Sequence, residues 1–236
     1  MPNPHPNEDG RLWAQLRFAA WLSIAVHGIA GLAMALILRH GLVGNSDVLQ
    51  RLQFITENRG SWIGAWLTWN VAALSILYFY AAFARAHRSD GQSSRGVMNF
   101  AVLVSVAAVA VDLAAEAIEI GVLPGLALEV LMDDTKQASD ASLHVFLVVD
   151  RIAVMMTGFL ANGLYTVAAV LLVWSSMHAY PKWIWTAGFA VGLSGCGLSV
   201  AALLDSVPGM IWSNVVLLPC LLIWQLGVAV TAGRRR

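Results

Sequence analysis

Asp112, Glu116 and Glu119 stand at i, i+4 and i+7 inside an otherwise apolar run, VLVSVAAVAVDLAAEAIEIGVL. On a helix that spacing puts all three carboxyl groups on one face. An ionised acid at the centre of a membrane helix costs roughly 2.5–3.5 kcal/mol on insertion scales. Three on one face must therefore carry protons, pair with cations, hold a metal or meet water. Intramembrane acids mark proton and ion pathways, so the row is the first candidate for chemistry. The plainer reading leaves Glu116 and Glu119 in the outer interface and only Asp112 truly buried.

Other polar residues of the apolar runs are candidates to join it. Arg151, Gly158, Asn162 and Tyr165 follow at i, i+7, i+11 and i+14, which makes Arg151 the expected ion-pair partner of Glu116 or Glu119. His27, Asn70 and Asn162 are expected at depths that let them complete one polar cavity opening outward. Trp62, Trp66 and Trp69, again at i, i+4 and i+7, read with Tyr165 as the wall of a pocket for a lipid-like or aromatic ligand. Belt and packing roles compete with that reading. No metal site is assigned. The sharpest metal alternative is Glu116, Glu119, His144 and Asp150, since carboxylates with imidazole suit iron, manganese or zinc. The paired-helix Glu-x-x-His signature of di-iron bundles is absent. The acidic stretch with Asp133, Asp134 and Asp140 reads as a solvated outer loop with weak calcium binding as the alternative.

These residues need a scaffold that tolerates them. Of the 236 residues 58% are hydrophobic and 12% charged, against about 25% charged in soluble domains. The mean hydropathy is +0.70. Spanning a bilayer takes roughly 20 mostly apolar residues. Runs at about 18–38, 61–84, 97–122, 143–175, 183–204 and 209–231 meet that need, so the fold class is an all-α, polytopic bundle of six transmembrane helices. Residues 1–16 are expected to form a flexible cytoplasmic tail, and residues 17–236 a single membrane domain. The stretch 45–59 is expected as a short helix on the outer surface, and 124–142 as an acidic outer loop opened by Pro124. The fourth run is too long for one crossing, so its first part, with Asp150 and Arg151, should emerge from the lipid. Gly188, Gly192, Cys196 and Ser199 form a small-residue packing face on the fifth run.

Placing the N-terminus inside puts nine Lys and Arg residues in inner segments and five in outer ones, together the 14 of the chain. The positive-inside rule then sets both termini in the cytoplasm of a bacterial-type inner membrane. The net charge of +0 and the lack of a basic arm exclude a nucleic-acid partner. The expected partners are the bilayer and either other membrane subunits or further copies of the chain. Cys196 and Cys220 lie in apolar runs and form no disulfide framework.

Several chemistries are excluded. Lys136 and Lys182, the only lysines, lie between the runs, which leaves no retinal Schiff base in the bundle. Gly192-Leu193-Ser194-Gly195 resembles the GxSG of rhomboid proteases over four residues. No histidine follows His178, so that serine lacks a base. No DDxxD, HExxH or P-loop occurs, and His40, His87, His144 and His178 sit at run ends rather than in paired haem positions. No cofactor is identified. Three function classes remain: proton- or cation-coupled transport or small-ligand binding, an accessory subunit of a membrane complex, and a membrane-embedded enzyme on a lipid-like substrate.

Overall fold

The computed structural model describes residues 6–88, 92–132 and 136–234. Helices cover Pro6–Leu36 (α1), Val48–Glu57 (α2), Arg59–Ala86 (α3), Gln92–Gly121 (α4), Leu123–Met132 (α5), Lys136–Val154 (α6), Asn162–Ser176 (α7), Lys182–Leu203 (α8) and Val207–Arg234 (α9). A π turn, Met155–Ala161, joins α6 to α7 without a break. Six helical stretches are long and apolar enough to cross a membrane. The chain is thus an all-α integral membrane protein, and helices are what lipid demands, because each satisfies its own backbone hydrogen bonds.

The spans form a closed ring in chain order. α1 packs on α3, α3 on α4, α4 on α7, α7 on α8, α8 on α9, and α9 returns to α1. Consecutive spans alternate in direction, so α1 begins and α9 finishes at one end of the ring, here the terminal end. Large apolar side chains such as Leu103, Leu193 and Trp212 project from the outside of the ring, as a lipid-facing surface requires.

Two packed layers fill the interior. In the terminal half Phe79, Tyr80 and Phe83 surround Trp224, with ring centroids 5.4, 6.1 and 6.0 Å from it. This aromatic plug is fully packed inside the ring. In the distal half Trp62, Trp66, Leu123, Ala127 and Phe146 pack with Leu38, Leu52 and Ile55. That layer takes in α2 and α5, which cap the distal end without spanning.

Several local expectations are corrected. α1 starts at Pro6, so residues 6–16 continue the first span instead of forming a tail. Proline needs no N–H donor in a first helical turn, which is why the Pro-rich start does not delay the helix. The stretch after Pro124 is α5, not a loop. Pro124 cannot donate to Ile120, and the turn at Gly121–Val122 absorbs the break while the Val122, Gly125 and Leu126 amides stay bonded. Asp133 and Asp134 lie outside the described residues. α2 lies where a short helix was expected, started by Asp47, whose carboxylate accepts from the Gln50 amide at 3.1 Å. It is embedded rather than superficial, since Arg51, Leu52 and Ile55 are buried. From Lys136 to Ser176 the fourth span is one continuous rod of about 60 Å, roughly twice the bilayer core.

The α7–α8 seam is built on small residues. A β-carbon at Gly192 would lie 2.5 Å from Val170 Cγ2, and one at Gly158 3.0 Å from Ala202 Cβ. Gly188 and Gly195 meet Val173 and Thr166 as closely. Gly195, not Cys196, is the third member of this face, since Cys196 is exposed.

Candidate functional site

The acid row of α4 faces into the distal layer. Glu116 and Glu119 are each 2% exposed. Asp112, nearer the bilayer centre, is half-buried. Within the protein the two glutamates are therefore more enclosed than Asp112, the reverse of the interfacial reading. The indole Nε1 of Trp62 donates to the carbonyl of Glu119 at 2.8 Å, pinning α3 to α4. With the two helices antiparallel, Trp66 then stands level with Glu116, and Trp69 with Asp112.

The polar atoms here are incompletely satisfied. Glu116 Oε2, Glu119 Oε2, Trp66 Nε1 and Trp69 Nε1 are buried with no hydrogen-bond partner among the described residues. Such groups are rare in native interiors and call for an explanation. Tyr165 of α7 reaches the row: its hydroxyl donates to Asp112 Oδ2 at 3.3 Å. Its backbone carbonyl accepts from the Tyr80 hydroxyl at 3.5 Å. Tyr165 thus stands between the acids and the aromatic plug.

The cation beside the acids is Arg51, not Arg151. Arg51 of α2 donates from Nη2 to Asp150 Oδ2 at 2.9 Å and from Nε to the Gly41 carbonyl at 3.0 Å. Its guanidinium also lies 5.8 Å from the centre of the Phe146 ring. Both partners of the ion pair are buried, and Glu119 lies within electrostatic range of both. The pair is internally neutral, so Asp112, Glu116 and Glu119 have no described cation of their own. A sequence signal for Arg51 exists: Val48, Arg51, Leu52 and Ile55 recur at i, i+3, i+4 and i+7. A cation on an apolar helix face implies a buried anion.

Four other candidates lie elsewhere. The Arg151–Gly158–Asn162 face of the fourth span meets α8 instead of α4. Arg151 pairs with Asp205 at 2.7 Å, and its Nη2 donates to the carbonyl of Ala202 at 2.8 Å. It thereby covers the C-terminal carbonyls of α8, where a cation is favoured. Asn162 Nδ2 donates to the Gly195 carbonyl at 2.7 Å and to Ser199 Oγ at 2.9 Å. His27 belongs to a separate polar knot on the α1–α9 side. Its Nδ1 donates to the Ser23 carbonyl at 2.9 Å, and Gln225 Nε2 donates to Ser23 Oγ at 2.8 Å. Asn70 is half-buried on α3, and no hydrogen bond joins it to the acids among the described residues.

The metal alternative loses its ligand set. His144 is exposed, while Asp150 is turned inward to Arg51. Among the described residues no group of three or more His, Cys, Asp or Glu side chains is placed to hold a metal. Trp62 is core rather than a belt residue, whereas Trp174, Trp183 and Trp212 are exposed.

No family model, curated protein or solved structure matches the chain.

Proposed function

We propose that this protein is a proton-coupled transporter of a bacterial-type inner membrane, with Asp112, Glu116 and Glu119 as the proton-binding site and both termini in the cytoplasm. The observation that carries the reading is the pair of enclosed glutamates, each with an unpartnered oxygen, next to a cation already committed to Asp150. Carboxyl groups in that setting are neutralised most simply by protons. A row rising about 10 Å along α4 gives successive stations for them. Tyr165 extends the row towards the plug through its bond to Asp112. The plug and the α2–α5 cap would then be the two closures that alternate, each releasing the acids to one side. Orientation rests on the nine-to-five division of Lys and Arg.

The test is charge displacement after a pH jump across proteoliposomes adsorbed to a solid-supported membrane. The intact protein gives a transient current. Glu116→Gln and Asp112→Asn each abolish it while the variants keep the elution profile of the folded protein. Currents unchanged in both variants, or absent from the intact protein, would sink the reading.

A further inference from the structure

A second site lies outside the ring, at the terminal end of the α1–α9 seam. A groove of about 270 Å³ opens there, lined by Arg17, Trp21, Ala229, Val230, Gly233 and Arg234. The Arg17 guanidinium lies along the backbone of α9. A β-carbon on Gly233 would sit 3.4 Å from its Cζ and 3.5 Å from its Nε, which places the group in van der Waals range of α9. Among the described residues neither arginine is in an ion pair. Of the described acidic side chains only Asp9 lies at this end, whereas Arg85, Arg88 and Lys182 add to its positive charge.

Polarity changes along the groove. The two guanidinium groups form the mouth at the end of the helices. One turn deeper, Trp21 on α1 and Val230 on α9 form an apolar wall, 44% and 42% exposed. An amphipathic ring at this depth sits at the headgroup level. Guanidinium groups match phosphate oxygens in geometry as well as charge. Cationic mouth and apolar wall together reproduce the order of a phospholipid, with phosphate outermost and glycerol and acyl chain inward.

We infer that this groove is a binding site for one anionic glycerophospholipid, its phosphate held between Arg17 and Arg234 and an acyl chain laid along Trp21 and Val230. The site is independent of the acid row. Purified protein in detergent is titrated with phosphatidylglycerol or phosphatidylcholine of the same acyl chains and read by native mass spectrometry. The expected result is one phosphatidylglycerol retained per chain at concentrations where phosphatidylcholine is lost. The double variant Arg17→Gln, Arg234→Gln lowers that retention about tenfold or more, the loss expected for charge-assisted hydrogen bonds. Lys182→Gln, at the same end but outside the groove, leaves it unchanged. Equal retention of the two lipids by the intact protein overturns the proposal without reliance on any variant. So does undiminished phosphatidylglycerol binding in the double variant, or displacement of the lipid by millimolar inorganic phosphate.

Discussion

At the scale of residues, this membrane interior divides its charges unequally. Arg51 and Asp150 satisfy each other across 99 positions of sequence, and the three acids of α4 are left with themselves and Tyr165. Deleting one partner of a buried pair strands the other, at a cost of about 3–5 kcal/mol, whereas exchanging both for apolar residues can be neutral. Asp150→Ala should therefore lower stability by about that amount in detergent unfolding titrations. The double variant Arg51→Met, Asp150→Leu should recover most of the loss. Additive losses would mean that the pair does not hold α2 in place. The acids themselves were legible, because i, i+4, i+7 on a helix admits one geometry. Their cation was not. Asp150 and Arg151 are adjacent and point about 100° apart, and linear spacing does not say which of them turns inward. Nor does spacing say that the Arg151 face meets α8 when α4 lies on the other side.

Elements show the same mixture. Seam glycines were legible as a small-residue face, but a period of 3.6 does not separate Gly195 from Cys196. The neighbour decides: Thr166 presses on position 195. Filling the seam tests it. Gly192→Leu should destabilise the bundle by about 1–3 kcal/mol through overpacking against Val170, read as a lower melting temperature in detergent. Gly64→Ala, where an added β-carbon meets nothing within 4 Å, should leave it unchanged or higher. Equal effects at the two positions would show that α7 and α8 are not in tight register. α5 was illegible for a different reason. Its proline and the acids beyond it resemble a loop opening, and the packing of Leu123, Ala127 and Val130 against α2 and α6 holds it as a helix.

For the whole molecule, six spans return both termini to one side. Reporter domains fused to residue 1 and residue 236 should therefore behave alike, fluorescing if they fold in the cytoplasm. A cytoplasmic reporter active at one end only would break the six-span count, and silence at both would reverse the orientation. The number of spans was legible from apolar run lengths. Closure of the ring was not, because the pairing of first and last helices rests on contacts far apart in sequence. Gln225 donates to Ser23 across 202 positions, and that bond has a consequence for biosynthesis. Every other seam of the ring joins consecutive spans and can form as each helix leaves the insertion machinery. Ser23 must wait for the last one to receive the Gln225 bond, with Ser75 of α3 donating to it at 3.5 Å in the meantime. Until α9 arrives, the flank of α1 that carries Ser23 stands open beside α3, with a polar group still awaiting its second donor. The chain thus carries a mark of incompleteness, which its own final helix erases.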